Sequence, residues 1–359
     1  MIYLNHAATS WPKPAPVREA VAEALSASAE DWDEALADQH RRIAAFFGVQ
    51  EPEHLLLTPG CTASLAVAVA DLPWQAGDRV AISSYEHHAL VRPVLALEAR
   101  GVEVDVVPDA GSDGPFDLGH LDEVLREGHV RLVAVSGASN VTGALLPLAE
   151  IRDRAHAAGA QLLVDAAQLA GWTDLDAPAL GADLVAFGGH KALQGPWGVG
   201  GLIGGKDVAL RSRRLPAGEP EPLGYCDTGS VDRAAVAGLA AAVGWLSRRP
   251  DRLTAARTQL DRLEAGLRAV RGVHLHGATP VYRRVPTVCL TAEGWTAAAL
   301  ARALRARGVL AGAGLQCAPL AHRTLGTSPD GALRLSLGPP PPDYAIHRVI
   351  AELAQILAV

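Results

Sequence analysis

Apolar positions along the chain fall into two rhythms. Short unbroken runs at 79–83, 131–136, 161–165 and 183–187 have the length and composition of buried strands. Stretches with helical spacing separate several of them, at 90–98 and 148–158, with a shorter turn around 178–180. Alternation of this kind predicts an α/β fold with a largely parallel sheet covered by helices on both faces. Upstream, residues 17–48 carry helical periodicity through Val17, Val21 and Leu25, then Leu36, Ile43, Phe46 and Phe47. Residues 1–16 are bounded by prolines and read as extended. Residues 55–58 run into Pro59-Gly60-Cys61-Thr62 and then an alanine-rich helix. Downstream, 215–230 is irregular and proline-rich, 231–248 is an alanine-rich helix, and an arginine-rich amphipathic helix at about 250–270 leads into a smaller α+β part. There, strands at 285–291 and 332–337 alternate with helices at 296–307 and 343–357. The expected organisation is an N-terminal segment, 1–16, packing with the small domain, a large domain over 17–249 and a small domain over 250–359. No internal repeat of the kind that builds solenoids is visible.

One stretch, 183–203, organises the rest. It reads as a buried strand, a glycine turn holding His190 and Lys191, and a glycine-rich loop entering another apolar strand. The chain has three lysines, Lys13, Lys191 and Lys206, against 29 arginines. A lysine between two apolar strands is therefore poorly explained as surface decoration, and desolvation frees an amine for Schiff-base chemistry. Lys13, between prolines, and Lys206, beyond the second strand, read as exposed.

The chain of 359 residues is long enough for about two domains. Apolar residues make up 49% and charged residues 20%, with a mean hydropathy of +0.14. A net charge of −7 and a pI near 6.0 argue against nucleic-acid or membrane-surface binding. No signal peptide opens the sequence and no apolar stretch approaches the ~18 residues of a membrane span, so a cytoplasmic protein is expected. Cys61, Cys226, Cys289 and Cys317 lack CxxC spacing and are weighed as free thiols rather than a zinc site or disulfides.

Polar residues recur where the strands end: Ser84-Tyr85-Glu86-His87-His88, Ser139-Asn140, Asp165-Ala166-Ala167-Gln168 and His190-Lys191. Ligands of open α/β sheets bind past the strand carboxyl ends. A lysine amine, a carboxylate 26 residues before it and a histidine after a third strand suit an aldehyde cofactor with a pyridine nitrogen and a phosphate. Lys191 would form the Schiff base, Asp165 would keep the ring nitrogen protonated, and the helix start at Thr62 with His190 would hold the phosphate. Each residue has an ordinary alternative: a plain cap for Thr62, a helix N-cap for Asp165, a structural histidine for His87.

The motifs YLNHAATSWPKP, TPGCT, SYEHHALVRP, SNVTGALLPLAEI, VDAAQ, GGHKALQGPWGVGG, GLQCAPLAHRTLG and LRLSLG resemble the class V aminotransferase-type, pyridoxal-phosphate-dependent enzymes of fold type I, and among them the cysteine desulfurases. The resemblance spans nearly the whole length. It implies a large domain with a mostly parallel, seven-stranded sheet and a smaller α+β domain. It implies pyridoxal 5′-phosphate bound through Lys191, with Asp165 on the ring nitrogen, Gln168 on the ring oxygen and His87 stacked on the ring. Thr62 and His190 would hold the phosphate, with Cys61 and Asn140 lining the cofactor. Ser230 falls where the family reaches the partner subunit's phosphate, implying a homodimer with shared active sites. Asn140 and Arg334 would hold the substrate carboxylate, Arg334 by a bidentate pair. Cys317 aligns with the nucleophile that takes sulfur from L-cysteine, or a close derivative, giving alanine and a persulfide for a sulfur-acceptor protein. The alternative for Cys317 is a buried small apolar residue; Cys226 and Cys289 read as structural and Cys61 as packing beside the turn.

The sequence departs from the family at several points. Asn5-His6 replaces Asp-Asn, Gly188 replaces a hydroxyl residue that contacts the phosphate, and the substrate loop is not recognisable around 27–40. Pro-Ala-Gly-Glu-Pro-Glu-Pro replaces the Gly-Thr-Gly loop near 214–222, and Gly338-Pro339-Pro340 replaces Tyr-Asn-Thr. Rival readings are a C–S or C–Se lyase, which would need Lys191 but no nucleophilic Cys317, an aminotransferase or epimerase, and a non-catalytic partner protein of the same fold.

Overall fold

The computed structural model describes residues 1–204, 232–277, 280, 283–338 and 343–358. Its strands, in chain order, are β1 (Ile2–Leu4), β2 (Leu55–Thr58), β3 (Arg79–Ser83), β4 (Glu103–Val107), β5 (Val130–Ser136), β6 (Gln161–Asp165), β7 (Leu184–Gly188), β8 (Gly200–Gly204), β9 (Val273–His276), β10 (Thr287–Ala292), β11 (Val309–Gly314) and β12 (Ala332–Ser336). Seven of them form one sheet in the order β2-β8-β7-β6-β5-β3-β4. From β7 to β4 all neighbours are parallel, and β8 alone runs antiparallel to its neighbours β7 and β2. The remaining five form a second sheet in the order β1-β11-β12-β10-β9.

The central strands are apolar without alternation because both faces are covered. Every residue of β7 is buried, and only Arg131 of β5 and Gln161 of β6 are partly exposed. Two cores result. Phe47, Leu57, Val133, Val164 and Phe187 belong to one face, with the Phe47 and Phe187 rings 4.3 Å apart. Leu56, Leu65, Ile82, Leu132 and Leu202 belong to the other. A third core, with Leu260, Leu290, Leu304, Leu335 and Leu353, joins the second sheet to the helices Arg252–Arg268, Ala297–Ala306 and Asp343–Leu357. Each fully buried leucine or phenylalanine contributes about 1.5–3 kcal/mol by leaving water.

The four expected central strands lie within two residues of their predicted bounds. The stretch 17–48 is broken into two helices, Ala15–Ser26 and Trp32–Phe46. Strands β4, β9 and β11 were not anticipated. β4 is an edge strand with mixed exposure, and four of the six residues of β11 are glycine or alanine, so neither carries a strong hydrophobic rhythm. Among the described residues no helix is long and apolar enough to cross a membrane.

Parallel pairing puts the ends of β3, β5, β6 and β7 on one edge. Ser136 faces Asp165 across β5 and β6. Just beyond β7, the turn holding His190 and Lys191 is backed by Gly171, which has φ +96°. A Cβ on Gly171 would collide with the backbone of Ala192 and Leu193. Gly171→Ala should therefore cost about 2–4 kcal/mol in a denaturant midpoint measurement. Gly159→Ala, with φ +75° and open space around it, should cost about 1 kcal/mol, the backbone term alone. Equal losses at the two positions would show that the close approach behind Lys191 is not constraining.

Candidate active site

The strand ends open onto a cavity of about 770 Å³ lined by both sheets and by the N-terminal segment. Lys191, Asp165, His87, His190, Gln168, Thr62, Cys61, Asn140, Arg334 and Cys317 all line it. Ser230 lies outside the described residues.

Lys191 follows β7 by three residues. It keeps partial exposure through the cavity, but packing around the amine desolvates it and lowers its pKa, an effect Asp165 and Cys61 oppose. Asp165, at the end of β6, is buried. Its Oδ1 accepts from the Ala167 amide at 2.8 Å and from the Cys61 thiol at 3.3 Å, which leaves Oδ2 for a ligand. Cys61 does more than pack, then. Burial first, and Asp165 next, push its thiol pKa well up, so it stays a protonated donor.

His87 caps the helix His88–Leu95, its Nδ1 accepting from the Ala89 amide at 3.0 Å. Burial and then Lys191 lower its pKa to about 4. The ring is neutral at pH 7 with its proton on Nε2. His190 is likewise lowered to about 4 by burial, Lys191 and Lys13, and its Nδ1 meets the Thr9 hydroxyl at 3.1 Å. Gln168 donates Nε2–H to the Ala7 carbonyl at 2.9 Å, which leaves its oxygen for the cavity.

The helix Cys61–Ala70 starts at Gly60 without a side-chain cap. By contrast Asp117, Asp176, Asp232 and Thr296 each cap the helix that follows them. The uncapped end lines the cavity beside Thr62 and His190, and offers amide donors and a favourable dipole to an anion. Phosphate there, a pyridine nitrogen at Asp165 and an aldehyde at Lys191 fit the donor set.

The second sheet supplies the opposite wall. Arg334, in the centre of β12, is 4% exposed. Its Nη1 donates to the Asn140 carbonyl at 2.7 Å and its Nη2 to Asn5 Oδ1 at 3.2 Å, while Nε is buried without a partner. Burial pushes its pKa down to about 10. The guanidinium is thus already half engaged by protein, as is Asn140, whose Nδ2 donates to the Gln316 carbonyl at 2.9 Å.

Cys317 is exposed. It sits on a tight turn in which Gln316 and Cys317 both have left-handed backbone, φ +43° and +58°. Such residues cost about 1–3 kcal/mol each and persist only where the surroundings hold them. Here the His88 amide donates to the Cys317 carbonyl at 2.8 Å. Gln316 donates to the Ala332 carbonyl at 2.7 Å and meets His322 Nε2 at 2.9 Å, and His322 Nδ1 meets Thr327 Oγ1 at 2.7 Å. The thiol therefore stands on an ordered turn. Cys289 is buried in β10, with its pKa raised to about 12.

Lys13 corrects an expectation. It is not a plain surface lysine: Nζ donates to the His190 carbonyl at 2.9 Å and to Ser10 Oγ at 2.7 Å, because the N-terminal segment crosses the lysine turn. Gln316, His322 and Glu86 were also missed. Glu86 is fully buried behind the cavity, accepting from Ser83 Oγ, from the Ser136 amide at 2.8 Å and from Ser136 Oγ at 2.7 Å. The run Tyr-Glu-His-His does not distinguish a glutamate in water from one folded under the sheet edge.

The sheet order, the parallel centre and a desolvated lysine on the turn after β7 define an enzyme of the fold type I, pyridoxal-phosphate class. A family model for class-V aminotransferases matches residues 2–343, and the chain belongs to that family. It is similar to the probable cysteine desulfurase of Chlamydia trachomatis, 32% identical over 345 residues, 88% of this chain and 85% of that protein. The probable cysteine desulfurase of Pseudomonas aeruginosa is 32% identical over 370 residues, 94% and 89% of the two. Among solved structures, the cysteine desulfurase CsdA from Escherichia coli superposes with a TM-score of 0.87 at 25% identity, covering 99% of this chain and 94% of that one. The apo cysteine desulfurase of Thermococcus onnurineus, at 23% identity and a TM-score of 0.89 over 99% and 94% of the chains, shares the fold.

Glu86 gives a pH prediction. Burial raises its pKa to about 7, against the opposing pull of the Ser83 and Ser136 donors. Between the ordinary carboxyl range and pH 7, the native state keeps a proton that the unfolded chain has released, so stability falls as pH rises through that window. Glu86→Gln cannot titrate. Wild type should lose stability relative to this variant by at most about 1.4 kcal/mol per pH unit there, measured by urea unfolding at several pH values. A constant difference would show that Glu86 is ionised throughout.

Proposed function

We propose that the chain is a pyridoxal 5′-phosphate-dependent cysteine desulfurase acting on L-cysteine or a close derivative. The observation that carries this is the meeting, in one cavity, of the Lys191 amine and Asp165 from the large sheet with the exposed Cys317 thiol on its pinned turn from the small one. Similarity to proteins named as cysteine desulfurases supports the same reading.

When bound, the cofactor supplies an electron sink that weakens the substrate's Cα–H and Cβ–S bonds. Lys191 would hold it covalently and, once released, would move the proton at Cα, a role that desolvation favours by lowering the pKa of its amine. Asp165 would hold the ring nitrogen through Oδ2, since Oδ1 is held by Ala167 and Cys61. The neutral His87 would pack on the ring and could move protons through Nε2. Thr62, the Cys61 and Thr62 amides and His190 would hold the phosphate, and Gln168 would present its oxygen to the ring hydroxyl. Arg334, through the edge holding Nε, and Asn140 orient the substrate carboxylate.

Cys317 Sγ then attacks the substrate sulfur. A sulfur–sulfur bond forms, the Cβ–S bond breaks, and its electron pair stays on Cβ, which takes a proton. Alanine leaves, and the extra sulfur passes from the exposed Cys317 to a second thiol, either a small molecule or an acceptor protein. We propose a homodimer, with Ser230 reaching the partner's phosphate.

The test is product analysis with L-cysteine and dithiothreitol. Wild type should release alanine and sulfide. Cys317→Ala should keep the visible absorbance of the cofactor linked through the lysine and lose about a hundredfold or more of alanine formation. Lys191→Ala should lose that absorbance. Pyruvate and ammonia as products, or full activity in Cys317→Ala, would make the enzyme an eliminating lyase. A wild type with no cofactor absorbance would sink the reading altogether.

A further inference from the structure

Among the described residues the phosphate end of the cavity is short of positive charge. Of the described residues lining the cavity, the lysine and arginine side chains are Lys191 and Arg334; the proposed mechanism commits the first to the cofactor's aldehyde and the second to the substrate. His190 is neutral at pH 7, since its pKa is lowered to about 4. Gly188 has no side chain to offer. A helix N-terminus supplies about half a charge, against a phosphate that carries up to two.

Behind this end lies Lys13. Its ammonium is bonded to the His190 carbonyl and Ser10 Oγ and stands 4.9 Å from the centre of the Trp197 ring, another wall of the cavity. The same carbonyl accepts from the Ser10 amide at 2.9 Å, Ser10 Oγ at 3.0 Å and Thr9 Oγ1 at 3.1 Å. The N-terminal segment thus clamps the peptide that joins His190 to Lys191. Among the described residues no carboxylate pairs with Lys13. Burial without such a partner lowers its pKa to about 8, the position of a cation that an anion would stabilise. Its charge already reaches the neighbouring rings, being among the causes that lower His190 and His6.

We infer that Lys13 is a positioning residue of the cofactor site, holding the His190–Lys191 peptide by its carbonyl and supplying the positive charge that balances the phosphate. The inference rests on the cofactor reading above. The carbonyl bond and the charge are separable. Glutamine can keep the bond without the charge, arginine keeps the charge, and methionine keeps neither.

The experiment uses the full-length chain freed of cofactor, with pyridoxine 5′-phosphate, which lacks the aldehyde, titrated by calorimetry and inorganic phosphate as competitor. Lys13→Gln and Lys13→Met should each weaken both ligands by about tenfold, and Lys13→Arg should stay within about threefold of wild type. Added salt should weaken wild type and Lys13→Arg more steeply than Lys13→Gln. A Lys13→Gln protein that binds both ligands like wild type overturns the inference, whether or not Lys13→Met is stable. Uptake of pyridoxal 5′-phosphate by wild type is followed in parallel. A wild type that takes up neither phosphate ester overturns the cofactor reading, and this inference with it.

Discussion

The guanidinium of Arg334 is the joint on which the site depends. It rises from the centre of the small sheet and ties that sheet to the Asn140 carbonyl, past the end of β5, and to Asn5 of the N-terminal segment. Asn140 in turn reaches the Gln316 carbonyl, and the His88 amide reaches the Cys317 carbonyl. Lys191 and Cys317 stand on turns that come from separate sheets. Apolar clusters span the seam beside both, Ala192 with Ala256 and Val285, and Ala318 with Tyr85 and Val141, and these polar bonds cross the same seam. Removing Arg334 would leave the Asn140 carbonyl and the Asn5 side-chain oxygen without this donor, and under the proposed function it would also remove a substrate-binding group.

One departure from the family has a steric partner. His6 occupies the space in front of Gly338: a Cβ there would collide with the imidazole, so a bulky residue at 338 and His6 exclude one another. Gly188 lies beside Cys61, whose Cβ would be 3.4 Å from a Cβ at 188. That is ordinary contact, so space does not exclude a side chain at 188, and the neighbouring Cys61 thiol serves Asp165. Under the proposed function the N-terminal segment carries part of the load of the phosphate cradle through Lys13.

Much of this was legible in the sequence because the signals were local. Fully buried parallel strands announce themselves as unbroken apolar runs, and the residues following them, Asp165, His87, Asn140 and His190-Lys191, lie where the sheet's edge places ligands. The rarity of lysine singled out Lys191 before any fold was known. What was not legible depended on distant parts of the chain. Lys13 reads as a surface residue between prolines, and only the crossing of the N-terminal segment over the β7 turn buries it. Gln316 and His322 are ordinary polar residues until β12 and Asn140 arrive to hold the turn. Glu86 needed the pairing of β3 with β5 to bring Ser136 against it. Strand β11 escaped because glycine and alanine carry little hydrophobic rhythm, and its partners β1 and β12 lie at opposite ends of the described chain.

The central claim is that Cys317 takes sulfur from the substrate. The most direct measurement is mass spectrometry of the intact protein after a single turnover with L-cysteine and no reductant, followed by peptide mapping under thiol-blocking conditions. The account predicts one added sulfur atom, found on the peptide containing Cys317 and absent from those containing Cys61, Cys226 and Cys289. Substrate consumed with no added sulfur, or sulfur retained on another cysteine, would contradict it.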